Sequence, residues 1–180
     1  RKFCLTSRGV LTALAILTLL GACKSPALKF DQTAASLGLQ KDVVMGTVFR
    51  HVLFWHNGGP NRTLHIYLGG DGTPVSAGRP AKDPTPRNPL MLRLMRLDPD
   101  PAVYVGRPCY HGLAGTAGCS DDLWTTARYS ESVVASLAAT IRRIMISRGY
   151  EQIFLFGHSG GGALAMLLAE RFPEARAIVT

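Results

Sequence analysis

The residues best suited to chemistry stand together in Gly157-His158-Ser159-Gly160-Gly161-Gly162. The run follows Ile153–Phe156, a fully apolar stretch that reads as a buried strand, and it leads into an Ala/Leu-rich stretch that reads as a helix. A serine at a sharp strand-to-helix turn is placed to act as a nucleophile, because the turn lifts its hydroxyl above the carboxyl ends of the strands. Such a turn presses backbone against backbone, so Gly157 and Gly161 stand where a Cβ would clash. Gly162 and Ala163 let the helix approach the sheet closely. The helix N-terminus, beginning at Gly160, turns a positive dipole end toward a developing oxyanion. His158 adjoins the serine, but neighbours on a tight turn point in different directions. It therefore reads as packing or pocket lining rather than as the general base.

Two other readings of this segment are available. The glycines partly fit a dinucleotide-binding turn, yet Ser159 occupies the middle glycine position, where a pyrophosphate must approach the backbone. An acidic ribose ligand about 20 residues on would fall at or beyond Thr180. The segment could also be a structural turn without chemistry. No cofactor is called for on the favoured reading.

The elements around this turn follow from pattern and punctuation. Residues 23–46 read as a tether and a short helix, with Asp31 as its cap and Gly38 as its stop. Thr47–Trp55 reads as a strand. The turn signal His56-Asn57-Gly58-Gly59-Pro60-Asn61 predicts that the next strand, Thr63–Leu68, pairs with it as a hairpin. In that strand Leu64, Ile66 and Leu68 alternate with His65 and Tyr67, and Gly69-Gly70-Asp71-Gly72 ends it. A proline-rich loop runs from Pro74 to about Arg87. Asn88 and Pro89 then open a helix whose apolar face is Leu90, Met91, Leu94, Met95 and Leu97. Ala102–Val105 is a short buried strand. A long helix covers about Ser130 to Ser147, with Gly149 just past it. The elbow helix ends before Pro173, and Ala177–Val179 begins another strand. The alternation predicts an α/β fold, a mostly parallel sheet with helices on both faces.

On these residues the chain resembles the α/β-hydrolase superfamily, in particular bacterial serine esterase- or lipase-like lipoproteins. The resemblance spans roughly Val48 to Thr180 and rests on the Gly157–Gly161 elbow and the Leu68–Gly72 turn. It implies acyl transfer on a small-molecule ester or acyl substrate, with Ser159 as nucleophile. It also implies that the Gly160 amide supplies one arm of an oxyanion hole, and the amide of Gly70 or Asp71 the other. The family order is serine, then acid, then histidine, which removes His56 and His111 as the base. After His158 come no histidine and no aspartate, only Glu170 and Glu174. The expectation is that residues 47–180 are the N-terminal part of the domain, with the triad acid and histidine beyond Thr180. Pro108-Cys109-Tyr110-His111 is expected to line the rim of the site at most.

The N-terminus makes a separate statement. Arg1, Lys2 and Arg8 precede the apolar run Val10–Leu20, which is too short for a permanent span of about 20 residues. Leu20-Gly21-Ala22-Cys23 resembles the lipobox of bacterial lipoproteins. Residues 1–22 are then an export signal, and Cys23 becomes a lipidated, membrane-anchored N-terminus at the outer membrane or cell surface. The other reading is a plain secretory signal. In an oxidising compartment Cys109 and Cys119 are expected to pair. A metal site built on them and His111 would lack a fourth ligand, so none is expected.

Composition agrees with a globular domain. Hydrophobic residues make up 47% and charged residues 18%, which excludes a disordered or fibrous chain. The net charge of +8 raises nucleic acid as a partner, but Arg1, Lys2 and Arg8 leave with the signal and reduce it to +5. The remaining cations, such as Arg79, Lys82, Arg87, Arg142, Arg143, Arg148, Arg171 and Arg176, are scattered without interleaved aromatics. No nucleic-acid partner is expected.

Overall fold

A computed structural model describes residues 24–180. The expected export signal and Cys23 lie outside the described residues.

Helix α1 spans Pro26–Ser36, and Ser25 caps it by accepting from the Leu28 amide at 3.2 Å. Asp31, the expected cap, lies inside the helix and pairs with Lys41 at 2.6 Å. Gly38, at φ +74°, ends the segment as expected. Strand β1 then runs Gln40–Met45, where the sequence suggested only tether and helix. It is a largely exposed edge strand, so it lacks the apolar alternation by which strands are recognised. A tight turn closed by Gly46 N–H to Phe49 O (2.8 Å) leads into β2, Arg50–His56, which pairs antiparallel with β1.

The expected hairpin between β2 and β3 (Thr63–Leu68) does not form. Strand β6, Ala102–Val105, lies between them, antiparallel to β2 and parallel to β3. The glycines of the connecting turn serve a crossing instead. A Cβ on Gly58 would run into the Asp100–Pro101 backbone, and the Gly59 amide donates to Pro99 O at 3.0 Å. The chain thus passes closely over the segment that enters β6. Within the proline-rich loop, β4 (Val75–Ser76) and β5 (Arg79–Pro80) form a separate small ribbon.

Helix α2 covers Leu90–Arg96. Asn88 does not cap it, and its Oδ1 instead accepts from Arg93 Nη1 at 3.2 Å. Met91, Leu92 and Met95 are buried, whereas Leu94 and Leu97 of the expected apolar face are 45% and 80% exposed. Helix α3, Glu131–Arg148, stops at Gly149 in the left-handed region (φ +72°), as expected from its sequence. Strand β7 (Gln152–Gly157), helix α4 (Gly160–Ala169) and strand β8 (Ala175–Val179) follow.

The main sheet has the order β1-β2-β6-β3-β7-β8, parallel from β6 to β8. Its two faces build two cores. Leu64, Ile66, Leu68, Val103, Ile153 and Leu155 pack against Leu137 and Ile141 of α3 and Leu164 and Leu168 of α4. Tyr67, Ala102, Tyr104, Val52 and Phe54 pack against Phe30 of α1 and Met91, Leu92 and Met95 of α2. The period-2 alternation in β3 therefore serves two buried faces rather than one. This is the expected α/β class, with helices on both sides of a mostly parallel sheet.

Candidate active site

Strand β7 delivers the chain to Ser159 at the carboxyl end of the parallel strands. The Ser159 backbone has φ +55° and ψ −125°, a region that a residue with a Cβ seldom occupies. Neighbouring hydrogen bonds hold it there. The His158 amide donates to Leu68 O at 3.2 Å, and the Gly161 and Gly162 amides donate to His158 O and Ser159 O, each at 2.8 Å. Glycines make this packing feasible. A Cβ on Gly157 would enter the Gly161–Gly162 backbone, and one on Gly161 would enter the carbonyls of Leu68 and Gly69. The strand-to-helix turn read from the sequence is present with its strained serine.

The Gly69–Gly72 turn brackets the serine from the neighbouring strand. A Cβ built on Gly70 would lie 3.3 Å from Ser159 Cβ and 3.6 Å from its Oγ. A Cβ built on Gly160 would collide with the Asp71 carboxylate and the Tyr129 hydroxyl. Gly70 thus lies against the Ser159 side chain, and the Asp71 carboxylate lies against Gly160, the next residue. The cleft there holds about 320 Å³ and is lined by Gly70, Asp71, Gly72, Arg87, His158 and Ser159, among others.

His56 and His111, set aside as bases on sequence order, make no hydrogen bond to Ser159 among the described residues, and His111 is buried rather than on the rim expected for it. His56 Nε2 bonds Asp98 O at 2.8 Å, and its strand partner is Ala102, the first residue of β6, so it sits at the opposite end of the sheet from Ser159. His111 is buried, its Nε2 3.3 Å from the Tyr104 hydroxyl, and burial pushes its pKa down to about 3. His51 is buried between Gly106 O (2.9 Å) and Ser136 Oγ (2.8 Å), and burial takes it down to about 4 against the opposing effect of the Gly106 bond. His65 joins Asp98 at 2.6 Å and stacks on Phe154. His158 is exposed along the cleft. Among the described residues, no histidine is hydrogen-bonded to Ser159 Oγ.

Cys109 and Cys119 are joined as a disulfide, so the alternative of a metal held by these cysteines and His111 is set aside. His65, Asp98 and Asp100 could offer metal-ligand atoms. Asp98 is already engaged, however, by His65, by the Tyr67 hydroxyl at 2.7 Å and by the Asp100 amide at 3.0 Å. Burial pushes its carboxyl up, and these bonds together outweigh burial and leave it below the ordinary range. The cluster ties β3 to the end of α2.

Sequence reasoning passed over the groups that surround Asp71. Arg107 Nη2 lies 2.7 Å from Asp71 Oδ1, and Arg128 Nε lies 3.2 Å from Oδ2. The Tyr129 hydroxyl reaches both carboxylate oxygens, at 2.7 and 2.9 Å. Tyr110 is not a rim residue as expected. It is buried, and its hydroxyl donates to Asp71 O at 2.8 Å. These partners lie up to 58 residues from Asp71, and no local pattern marks them.

The strand order, the helices on both faces and the serine turn at the strand ends define the α/β-hydrolase fold. No protein-family model matches the chain, and no curated protein matches it. Solved structures do. A membrane phospholipase A, described as a bacterial virulence factor, aligns over 93% of this chain and 47% of its own, with a TM-score of 0.55 and 18% identity. A proposed lipase from Acinetobacter baumannii AYE aligns over 86% of this chain and 45% of its own, with a TM-score of 0.53 and 18% identity. A proposed α/β hydrolase of unknown function from Agrobacterium tumefaciens aligns over 77% of this chain and 58% of its own, with a TM-score of 0.55 and 13% identity. The chain is similar to these proteins in fold, and it spans about half of their length.

Proposed function

We propose that this chain carries the nucleophile half of a serine hydrolase that cleaves carboxylic esters through an acyl-enzyme. The observation that supports this most directly is Ser159 in a strained turn, with Gly70 of the neighbouring turn packed against it and Gly160 next in the chain at the helix start. A structural turn has no need of a serine at φ +55° with its side chain facing a cleft, since glycine would fill that position without strain. Ser159 Oγ attacks the ester carbonyl and forms the new C–O bond. The carbonyl oxygen becomes an oxyanion held by the Gly160 amide and an amide of the Gly70–Asp71 turn. Collapse expels the alkoxide, which takes up the proton that left Ser159, and water then releases the acid. The histidine that carries this proton, and its acid partner, are proposed to follow Thr180, in the serine, acid, histidine order.

The protein is further proposed to be an exported lipoprotein, anchored through lipid on Cys23. Metabolic labelling with an alkynyl palmitate should mark the protein and fail in Cys23→Ser. Labelling retained in that variant would refute the anchor. The hydrolase reading is tested on the intact gene product with a fluorophosphonate probe. Labelling lost in Ser159→Ala supports it. An intact protein that does not label would instead favour a hydrolase-like lipoprotein that binds an acyl ligand without cleaving it.

A further inference from the structure

Asp71 poses a problem for the chemistry just described, on which this inference rests. A carboxylate beside an oxyanion hole should repel the charge that develops there. Its surroundings remove the difficulty. Two guanidiniums and a phenol converge on the Asp71 side chain, so the group behind the loop carries a net positive charge. Arg107 is the interior member of this group at 4% exposure, and it lies between the rings of Tyr129 (5.2 Å) and Tyr110 (5.9 Å). Its contact with Asp71 is a charge pair. A buried guanidinium facing one carboxylate and two aromatic rings is costly as a purely structural element.

The same carboxylate touches both walls of the site. Its backbone belongs to the Gly70–Asp71 turn, while its oxygens lie where a Cβ on Gly160 would stand. Tyr110, three residues after Arg107, holds the turn from the backbone side through Asp71 O. The segment carrying both is itself held in costly geometry. Cys109 (φ +67°) and His111 (φ +57°) sit in the left-handed region, and the disulfide to Cys119 closes the loop around them.

We propose that Arg107, acting through Asp71 and assisted by Tyr110, is a positioning residue that fixes the spacing between the two arms of the oxyanion hole. Arg107 touches no substrate. It sets where the Gly70–Asp71 amides stand relative to Gly160, and its charge compensates Asp71 so that the oxyanion meets no net negative group.

The test uses the intact gene product, p-nitrophenyl butyrate turnover and the rate of fluorophosphonate labelling. Arg107→Met keeps the bulk and removes the charge. It should lower kcat roughly ten- to a hundredfold, less than outright loss of an oxyanion donor, with KM changed by less than about twofold. Tyr110→Phe removes one hydroxyl and little packing, and it keeps the inference testable should Arg107→Met fail to fold. It should lower kcat roughly three- to tenfold, again without a matching rise in KM. Turnover and labelling at the unmutated rate in Tyr110→Phe, and in a folded Arg107→Met, would overturn the positioning role while leaving the hydrolase reading intact. So would a loss that appears only in KM. Absence of labelling in the unmutated protein would overturn the hydrolase reading and this inference with it.

Discussion

Substitution of Gly70 by alanine separates the folding role of the site glycines from their chemical role. The Gly70 φ lies outside the left-handed region, so alanine can adopt its backbone conformation. The new methyl would meet His158 O and Ser159 Cβ at 3.3 Å and Ser159 Oγ at 3.6 Å. That is tight but relieved by a shift of a few tenths of an ångström, and the cost to folding should stay near 1 kcal/mol. The effect on chemistry should be far larger. A substrate carbonyl must come within about 3–3.5 Å of Oγ, and a methyl 3.6 Å from Oγ is expected to obstruct it. The expected loss in fluorophosphonate labelling rate is about a hundredfold or more, comparable to removal of an oxyanion donor. Gly160→Ala should behave differently. Its Cβ would overlap the Asp71 carboxylate and the Tyr129 hydroxyl, so labelling and thermal stability should fall together. The assay is labelling rate against thermal midpoint for both variants. Gly70→Ala that labels at the unmutated rate, or that loses labelling only because it unfolds, would refute the geometry assigned to this turn.

Other consequences follow from the buried histidines and the disulfide. His51 and His111 are held neutral when folded, at about 4 and about 3, while both would titrate near 6.5 when unfolded. Between those limits the unfolded chain binds more protons, so this stability is complete above pH 6.5 and falls as pH is lowered toward the folded values. Urea midpoints should lose the equivalent of about 3–4 kcal/mol between pH 7 and pH 5, and a flat profile would contradict the burial of these rings. Reducing Cys109–Cys119 opens a short loop with a sequence separation of 10, which should cost about 3 kcal/mol by chain entropy. Because Tyr110 lies inside that loop, reduction should also slow labelling of Ser159, which a thiol-treated sample and a Cys119→Ser variant would both report. His51→Asn should flatten part of the pH dependence of stability, measured by the same urea titration, without restoring the Gly106 and Ser136 bonds.

Much of the site was legible because its signals are local. A buried strand, Gly157-His158-Ser159-Gly160-Gly161 and an apolar helix occupy one continuous stretch, and steric needs dictate each glycine in it. The Gly69–Gly72 turn is likewise marked by composition. What escaped the sequence depends on distant partners. Strand β1 escaped because an exposed edge strand needs no apolar alternation. The hairpin of β2 with β3 failed because β6, some 40 residues on, competes for the same edges and prevails. Turn chemistry at Gly58 and Gly59 specifies that the chain bends, not which strand it meets. The Asp71 cluster was hidden for the same reason, since Arg107, Arg128 and Tyr129 are scattered cations and an aromatic until folding brings them to one carboxylate.

Whether Ser159 is a working nucleophile can be read from the mass of the Ser159 peptide after exposure of the intact gene product to a fluorophosphonate. One adduct is expected, on the peptide containing His158-Ser159-Gly160, absent in Ser159→Ala and slowed in Gly70→Ala. An adduct on another serine, or no adduct on the folded protein, would contradict it.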